Sequence, residues 1–307
     1  MTLSQKLPHV EIIVLNWNGK DDTVECLRSL DKIDYPNKQI SVVDNASTDD
    51  SVELIKGEFP DVAIIENETN LMYAGGNNAG IRKALDKNAE YILILNNDTA
   101  VQKDFLTYLM RTALSESGVG IVCPKICYYE NVGMIWYAGG FVNFFTGNIY
   151  HRGLRKQDTK GFDVTDEVDY ATGCCMLITR AVFDEIGLLD EKYYIYTEDV
   201  DFSFRARKAG FKVVFEPRSI IWHKVSSATG GGITPFKIYH KIRSNFRFIK
   251  RYAKWYHWLT FPVVIFIRSV LFTLGRLVKL EFREIKAVGK GFSDSLSRDG
   301  GVMNDAK

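Results

Sequence analysis

The sequence has 307 residues, of which 46% are hydrophobic and 25% are charged, and it contains no internal repeat. These values exclude a low-complexity chain and are ordinary for a globular protein of one large domain or two modest ones. The formal net charge of +1 hides an asymmetry, because residues 237–290 contain thirteen Lys or Arg and only two acidic residues. A basic end beside an acidic body indicates contact with an anionic surface, either a membrane or a nucleic acid.

The five cysteines are odd in number and lack the paired spacing of a zinc site. Cys174 and Cys175 are adjacent within an apolar run, so we predict reduced core cysteines in a cytosolic protein. The stretch from Met1 to Pro8 contains no apolar signal segment, which predicts that the protein is not exported.

Short apolar strands alternate with helices through the first half of the chain. The predicted strands are 10–15, 40–43, 62–65, 91–95 and 120–123. The predicted helices are 21–30, a segment that ends at Lys56, 79–87 and 103–114. This alternation predicts βαβ units and therefore an α/β fold, Rossmann-like, whose mainly parallel sheet carries helices on both faces.

The second half of the chain has less regular patterning. Residues 127–169 are rich in glycine and aromatic residues, which predicts hairpins and a long mobile loop at 151–166. A buried strand is predicted over 168–178, where Gly173 either lets a ligand approach the backbone or marks a bulge. We expect a helix from about 200 to 209, followed by short strands at 212–215 and 219–222.

The C-terminal part is predicted to be helical and amphipathic. Its uncharged run, 255–267, is too short to cross a membrane and is interrupted by Pro262. On a helical wheel, five basic residues lie within about 80° of one another: Arg268, Arg276, Lys279, Arg283 and Lys286. Apolar residues occupy the opposite face: Val270, Leu271, Leu274, Leu277, Val278 and Phe282. This pattern predicts a helix in the membrane interface, with a helix packed on the protein or a transmembrane hairpin as alternatives.

Polar residues follow several of the predicted strands. Asp44 ends the second strand, and Asn96, Asn97 and Asp98 end the strand 91–95. In open α/β sheets ligands bind where such strands end, so these residues predict a site for a nucleotide and a divalent metal. Solvated turns are the alternative. After the first strand, Asn16-Trp17-Asn18-Gly19 offers amides and an aromatic wall near the same crevice, or forms an ordinary turn.

Residues 70–78 form a predicted glycine-bearing loop that leads into a helix. Asn70, Gly75, Gly76 and Asn77 belong to it. Bare backbone N–H groups and a helix N-terminus suit a phosphate, although a Gly-Gly pair is also common in turns. The loop is not a P-loop, and no dinucleotide-binding glycine pattern follows the first strand.

Three carboxylates, Glu198, Asp199 and Asp201, stand at a predicted helix start, after the aromatic stretch 193–196. They cap the helix, or one of them acts as general base toward a hydroxyl in an aromatic pocket. His223 ends another short strand. It is a structural histidine, or it completes with Asp98 a site suited to Mn²⁺ or Mg²⁺.

Together these stretches resemble the family 2 glycosyltransferases, which have the GT-A fold, and most closely their rhamnosyltransferase-like group. The matching motifs are, in order, Asn16-Trp-Asn-Gly19, Val43-Asp-Asn-Ala-Ser-Thr-Asp49, Asn70-Leu-Met-Tyr-Ala-Gly-Gly-Asn-Asn78, Leu95-Asn-Asn-Asp-Thr99, Thr172-Gly173, Glu198-Asp-Val-Asp201 and Trp222-His-Lys224. The resemblance implies inverting transfer of a sugar, with rhamnose as the first candidate, from a nucleoside diphosphate sugar to a hydroxyl of a lipid-linked or polysaccharide acceptor.

The resemblance also implies roles for individual residues. Asp44 would hold the nucleotide base, Asp98 and His223 would bind Mn²⁺ or Mg²⁺, and Asp199 would be the general base, with Glu198 and Asp201 as alternatives. The expected contacts to the nucleotide sugar are Asn16, Asn18, Asp44, Asn70, Gly75, Gly76, Asn77, Asn96, Asn97 and Gly173. Asn96 replaces the first acid of the family's D-x-D motif, which removes a charge from the site and predicts fewer protein ligands for the metal.

We therefore expect a GT-A nucleotide-sugar-binding and catalytic domain over 1–235 and a helical, basic, membrane-associating region over 236–307. The predicted location is cytoplasmic, peripheral on the inner face of the cell membrane, with no nucleic-acid partner. The processive-synthase signature is absent, which predicts transfer of one or a few sugars. The alternatives are a sugar nucleotidyltransferase, which would need a glycine- and basic-rich loop after the first strand, and a non-catalytic glycan- or membrane-binding protein with a transferase fold.

Overall fold

The computed structural model describes residues 7–225 and 233–296. The strands of this part of the chain are β1 (Val10–Asn16), β2 (Lys38–Asp44), β3 (Ala63–Glu66), β4 (Tyr91–Asn96), β5 (Thr99–Val101), β6 (Val119–Tyr128), β7 (Ile135–Tyr137), β8 (Gly140–Asn143), β9 (Asn148–His151), β10 (Asp166–Glu167), β11 (Cys175–Thr179) and β12 (Lys212–His223). Its α-helices are α1 (Lys20–Leu30), α2 (Ser51–Glu58), α3 (Met72–Asp86), α4 (Phe105–Ala113), α5 (Arg180–Ile186), α6 (Glu198–Lys208), α7 (Pro235–Tyr252), α8 (Phe261–Val278) and α9 (Phe282–Leu296). Short 3₁₀-helices occur at Lys160–Phe162, Glu191–Tyr193 and Trp255–Leu259.

Within the described residues, ten strands form one mixed sheet. The strand order is β10-β12-β6-β11-β4-β1-β2-β3, with β5 beside β12 and β7 beside β6. Strands β4, β1, β2 and β3 pair in parallel, as do β6 and β12, whereas β11 runs antiparallel between β4 and β6. Strands β8 and β9 form a separate two-stranded sheet. The predicted α/β fold is confirmed, and its parallel half is the half that carries the predicted nucleotide residues.

The apolar runs of the sequence become the centre of this sheet. Residues 12–14 of β1 and 92–95 of β4 are fully buried, as expected for parallel strands covered on both faces. Helix α3 lies close to β1 and β2 at Gly80, where a Cβ atom would come within 2.7 Å of Ile13 and 2.8 Å of Val43. All five cysteines are buried and free, as the sequence predicts.

Three predicted elements differ in the structure. Helix α3 begins at Met72, so Gly75, Gly76 and Asn77 lie inside the helix and not in a loop before it. The two short strands predicted at 212–215 and 219–222 form the single strand β12, because a register shift between Glu216 and Ile220 absorbs the irregular residues. The strand predicted over 168–178 begins only at Cys175, which places Gly173 in the preceding turn.

The described residues fall into two compact units. The first unit contains residues 7–141, 151–191 and 199–225, and the second contains 142–150, 192–198 and 233–296. The second unit thus includes two internal segments besides the C-terminal helices. The predicted functional division into 1–235 and 236–307 stays a prediction, since compactness does not test function.

Within the second unit, the predicted amphipathic helix is in fact two helices. Helix α8 ends at Val278, Leu280 has a left-handed backbone with φ of 58°, and α9 begins at Phe282. The helical wheel from Arg268 to Lys286 therefore spans the turn between two helices, so these basic residues do not share one helical face. Pro262 lies in the first turn of α8, where it starts the helix and does not interrupt it.

Helix α9 packs on α7, whereas α8 is largely exposed. The buried core of the second unit is formed by Ile238, Tyr239, Ala287 and Val288. Helix α8 has 18 residues with a mean hydropathy of 1.8 and is 6% buried, so by length and composition alone it could cross a membrane. A cavity of about 390 Å³ is lined by Phe246, Trp258, Phe261, Pro262, Ile265, Phe266, Ser269, Phe292 and Leu296.

Candidate nucleotide-sugar and metal site

The sheet register brings several of the predicted site residues to one edge of the first unit. Asn16 at the end of β1 is opposite Asp44 at the end of β2, and Leu15 is opposite Asn96 at the end of β4. Strand β11 is antiparallel to β4, with Cys175 opposite Leu95, so its first residue lies at the same edge. The carboxyl ends of parallel strands are the usual ligand-binding edge of an open sheet.

Asn16 connects the ends of three strands. It is fully buried, and its Nδ2 donates hydrogen bonds to Asp44 Oδ1 at 2.8 Å and to Ser47 Oγ at 3.2 Å. Its Oδ1 accepts from Thr23 Oγ1 at 2.8 Å and from Asn97 Nδ2 at 3.3 Å. Because both ends of the amide are occupied by the protein, Asn16 orients Asp44 and the turn after β4.

Asp44 is held in place but retains capacity for a ligand. The residue is 4% exposed, and its Oδ2 accepts a hydrogen bond from Ser47 N at 2.9 Å. An ionised carboxylate offers about four acceptor positions, so the bonds from Asn16 and Ser47 leave room for another donor. Asn18 stabilises the same turn, since its Oδ1 accepts from Thr48 N at 2.7 Å.

Asn70 fixes the start of α3. Its Oδ1 accepts hydrogen bonds from Met72 N at 2.8 Å and from Asn45 Nδ2 at 2.9 Å. Asn45 Oδ1 in turn accepts from Leu71 N and Asn67 Nδ2, both at 3.1 Å. These amides explain why the helix begins beside Asp44, seven residues earlier than the sequence predicts.

Gly75 and Gly76 allow α3 to approach its neighbours closely. A Cβ atom at Gly76 would lie 2.5 Å from Leu15 Cδ1, and one at Gly75 would lie 2.8 Å from Leu71 Cβ. Asn77 is fully buried and donates from Nδ2 to Tyr73 O at 2.9 Å. Among the residues that the structure describes, its Oδ1 has no hydrogen-bond partner. Helix packing therefore accounts for both glycines, and their predicted contact with a phosphate stays a prediction.

Asp98 and His223 are brought together by the pairing of β5 with β12, in which Thr99 is opposite His223. Asp98 Oδ1 and His223 Nε2 are 3.1 Å apart, and both side chains are buried. The Trp136 ring meets the His223 ring edge-on at 4.6 Å between centroids. Lys224 N donates to Asp98 O at 2.9 Å, which closes the turn after β4 against the end of β12.

The spacing of this pair fits two adjacent ligands of a divalent cation. Two adjacent ligands of an octahedral ion, each about 2.0–2.1 Å from the metal, are about 3 Å apart, and the Asp98–His223 separation is 3.1 Å. Over residues 7–225 and 233–296, no group of three or more His, Cys, Asp or Glu could hold a metal. Asp98 and His223 are therefore the candidate protein ligands, and phosphate or water oxygens would complete the shell of an ion held there.

Asp199 is a half-buried residue whose carboxylate is held by two backbone amides. Its Oδ2 accepts from Gly173 N and its Oδ1 from Val200 N, each at 2.8 Å. Burial raises the pKa of Asp199, and the amide hydrogen bonds only partly oppose this. A carboxyl group with a raised pKa is better suited to accept a proton from a substrate hydroxyl than an ordinary aspartate.

Gly173 links Asp199 to the strand ends. Its carbonyl accepts a hydrogen bond from Tyr73 Oη at 2.5 Å, and a Cβ atom there would lie 2.4 Å from that oxygen. The group that lies close to the backbone of Gly173 is therefore the side chain of Tyr73. The next residue, Cys174, accepts from Asn96 N at 2.9 Å. Burial raises the pKa of the Cys174 thiol, and the negative charges of Asp98 and Asp199 add to the rise.

The two other acids have different surroundings. Asp201 is fully buried and pairs with Arg205 at 2.9 Å, and Arg205 also donates to the carbonyls of Ile186 and Leu188 at 2.7 Å. That arrangement is a structural ion pair. Glu198 is buried and begins α6 within the second unit.

Several residues of the site are absent from the sequence prediction. Tyr73 lies within the matched motif 70–78, so that motif is a sequence signal that could identify it. Trp136 has no such signal, because its position at the site depends on the pairing of β7. Lys224 Nζ contacts Asp22 Oδ1 at 2.6 Å and Glu25 Oε2 at 2.7 Å, and these contacts fix the residue after His223 to α1. Contacts between residues about 200 positions apart leave no local pattern.

The chain is similar to known sugar transferases. The profile described as "Glycosyl transferase family 2" matches residues 11–187. The low-salt glycan biosynthesis hexosyltransferase Agl10 of Haloferax volcanii is 27% identical over 217 residues, covering 67% of this chain and 64% of that protein. The chain thus spans less than two thirds of that relative. The N-acetylglucosaminyl-diphospho-decaprenol L-rhamnosyltransferase of Mycobacterium tuberculosis is 22% identical over 272 residues, covering 81% and 88%.

Solved structures show the same fold. The mannosyltransferase PcManGT of Pyrobaculum calidifontis, in complex with GDP-Man and Mn²⁺, superposes with a TM-score of 0.58 at 16% identity. The match covers 97% of this chain and 77% of that one. At this level of identity the likeness establishes the fold alone, which is the GT-A fold predicted from the sequence.

Proposed function

This chain belongs to glycosyl transferase family 2, and we propose that it transfers a sugar, with inversion, from a nucleoside diphosphate sugar to a hydroxyl of a lipid-linked or polysaccharide acceptor. One observation carries the proposal. Three groups lie at the ligand-binding edge of one sheet: Asp44, the Asp98–His223 pair and the half-buried Asp199. Hydrogen bonds of Asn16, Asn97, Gly173 and Cys174 connect them to the strand ends.

The reaction needs a base, and Asp199 is the group best placed to be one. Its carboxylate takes the proton of the acceptor hydroxyl while that oxygen bonds to the anomeric carbon. The bond from the anomeric carbon to the diphosphate breaks on the opposite side, and its electron pair leaves with the nucleoside diphosphate. Asp201 is the weaker candidate because Arg205 already occupies it.

We assign the metal to Asp98 Oδ1 and His223 Nε2, with Mn²⁺ or Mg²⁺ as the ion. When bound there, the ion supplies Lewis-acid stabilisation of the charge on the leaving diphosphate. The ring of Trp136 and the ion pairs of Lys224 hold His223 and its neighbour in place. The presence of Mn²⁺ in the related mannosyltransferase structure supports this assignment.

The proposed function also includes the identity of the sugar donor and the location of the enzyme at a membrane. Asp44, oriented by Asn16, accepts the imide N–H of a thymine or uracil ring. A dTDP-linked rhamnose is the first candidate, supported by the related rhamnosyltransferase, and UDP-linked and GDP-linked sugars follow it. We propose that the enzyme lies on the inner face of the cell membrane, close to a lipid-linked acceptor, and the exposed apolar helix α8 supports this location.

A donor panel tests this function. Thermal shift is measured with dTDP-rhamnose, UDP-N-acetylglucosamine, UDP-glucose and GDP-mannose, with and without Mn²⁺. The donor that stabilises the protein most is then incubated with membrane extract, and release of its nucleoside diphosphate is followed in the wild type and in Asp199→Asn. We expect donor binding by both proteins and release only by the wild type. Absence of binding by every donor, or full activity of the variant, would refute the corresponding part of the proposal.

A further inference from the structure

Three residues directly before the acidic cluster have an unusual backbone. The φ angles are 68° at Tyr194, 66° at Tyr196 and 70° at Thr197, a left-handed region that residues with a Cβ atom rarely adopt. Ile195 N donates to Tyr193 O at 2.8 Å and closes a three-residue turn around Tyr194. With a positive φ at its centre, this is the rarer and more strained form of the γ-turn. We call residues 193–197 the left-handed segment.

Helix α7 holds this segment by hydrogen bonds. Ser244 is buried, and its Oγ lies 3.2 Å from Tyr193 O and 3.0 Å from Ile195 O, so its single hydroxyl hydrogen is shared between the two carbonyls of the turn. The neighbouring Asn245 accepts a hydrogen bond on Oδ1 from Thr197 Oγ1 at 2.9 Å. Both contacts lie within the second unit.

The same face of α7 also holds the aromatic rings of the segment. The Tyr194 ring stacks on His240 with 5.0 Å between centroids, and Lys241 Nζ lies 5.3 Å from the centre of the Tyr196 ring. These four helix residues have the spacing i, i+1, i+4 and i+5, which is a single helical face. The tyrosines predicted to form a sugar-sized pocket are thus used to dock the segment on α7.

Strained backbone persists only where its surroundings over-determine it, and such strain gathers at functional sites. Here the segment leads directly into the proposed base, since Asp199 follows Thr197 by two residues. The Asp199 carboxylate meets the amides of Gly173 and Val200 at 2.8 Å, which requires a fixed backbone entering α6.

We propose that Ser244 and Asn245 are positioning residues, which hold the left-handed segment and thereby fix the Asp199 carboxylate for proton removal. The proposal rests on the proposed function of Asp199 as base. It assigns to α7 a role in the reaction through the segment, without contact with the reacting atoms.

Variants of Asn245 and Ser244 test this role. Asn245→Leu removes the acceptor of the Thr197 hydrogen bond, Asn245→Asp keeps it, and Ser244→Ala removes the hydroxyl that is shared between the carbonyls of the turn. Lys250→Ala is the matched control, because Lys250 is on α7 but contacts Ser295 O in α9. We expect the single-turnover rate with the donor that the panel selects to fall about 10- to 100-fold in Asn245→Leu and Ser244→Ala, since a misplacement of about 1 Å costs about that much. Asn245→Asp should recover most of the rate, and Lys250→Ala should keep it.

Two readouts separate positioning from simple loss of folded protein. In Asn245→Leu, the acidic limb of the rate–pH profile should move, and the Gly173 amide, which donates to Asp199, should exchange its hydrogen at least tenfold faster. A wild-type pH profile together with wild-type exchange at Gly173 would overturn the proposal, whatever the rate. If the wild type transfers no sugar, the proposed function fails, while the exchange at Gly173 still decides whether α7 fixes this carboxylate.

Discussion

Folding favours the protonated form of the Asp199 carboxyl group. Burial raises its native pKa, whereas the pKa of an unfolded aspartate is about 3.9. The native state therefore binds more protons than the unfolded state between these two values, and stability decreases as the pH rises through that window. Above the window, the ionised carboxylate destabilises the native protein.

Asp199→Asn should therefore raise the melting temperature at pH 7 while it abolishes sugar transfer. The amide is uncharged, and its one oxygen can still accept from Gly173 N, while the hydrogen bond from Val200 N is lost. We expect an increase of a few degrees, since about 1 kcal/mol corresponds to roughly 2–4 °C in domains of 150–250 residues. Differential scanning fluorimetry at pH 7, paired with the nucleotide-release assay, measures both effects.

Asp201→Asn is the control, because Asp201 has the opposite environment in the same helix. It would leave Arg205 partly buried without its carboxylate, and breaking such a pair costs about 3–5 kcal/mol. We thus expect a large decrease in melting temperature for Asp201→Asn. A similar decrease in Asp199→Asn would contradict the argument from burial.

The Asp98–His223 pair makes a separate prediction at the residue scale. Substitution His223→Ala removes one of two protein ligands, so the extra thermal stabilisation that Mn²⁺ gives to the donor complex should disappear. Binding at a hundred times the dissociation constant stabilises by about 2.7 kcal/mol, which is easily measured. His9→Gln, a change in a histidine outside the site, should leave the metal effect intact. An undiminished Mn²⁺ effect in His223→Ala would exclude this residue as a ligand.

At the scale of elements, the close packing of α3 on the sheet is testable by paired glycine substitutions. A Cβ at Gly80 would approach Ile13 and Val43 to within 2.8 Å, and overpacking of a core costs about 1–3 kcal/mol. Gly57 in α2 has no atom within 4 Å of its Cβ position, so Gly57→Ala should stabilise by about 0.5–1 kcal/mol. Urea unfolding measures the free energy of unfolding of the two variants. An equal change in both variants would show that α3 can move away from the sheet.

The parallel half of the fold could be predicted because its signals are local. The runs 10–15 and 91–95 are apolar and end in polar residues, and both form central strands close to the predicted limits. The start of α3 could not be predicted, since it depends on Asn45 and Asn70, which meet only after the sheet forms. Glycines in the first turns of α3 also have a low helix propensity, which pattern reading takes as a loop.

The candidate site shows the same division between local and distant information. Asp44 and Asp98 can be proposed from the sequence because strand ends leave a pattern, and Asp199 and His223 can be proposed because motifs contain them. The pairing of Thr99 with His223 joins residues more than a hundred positions apart, and no sequence period encodes it. The left-handed segment was read as a pocket wall because its aromatic composition does not reveal which helix its rings pack against.

At the scale of the whole molecule, the proposed membrane contact depends on the exposed face of helix α8. Helix α8 spans about 27 Å at 1.5 Å per residue, slightly less than a hydrocarbon core of about 30 Å. Leu271 and Leu274 on it are 64% and 53% exposed. Truncation before α8 is a poor test, because it also removes α9 and with it half of the core around Tyr239.

A double substitution on α8 is a sharper test. Each leucine contributes up to about 1.5–3 kcal/mol when it leaves water, so Leu271→Gln with Leu274→Gln should weaken binding to anionic vesicles at least tenfold. The control pair is Val132→Gln with Val164→Gln, which changes two valines of the first unit that are 68% and 65% exposed. Sedimentation with vesicles of phosphatidylglycerol and phosphatidylcholine compares the proteins at 0.15 and 1 M NaCl, since salt weakens the contribution of the basic residues. If the α8 variant sediments like the wild type while the control is also unchanged, the exposed face of α8 does not bind the membrane.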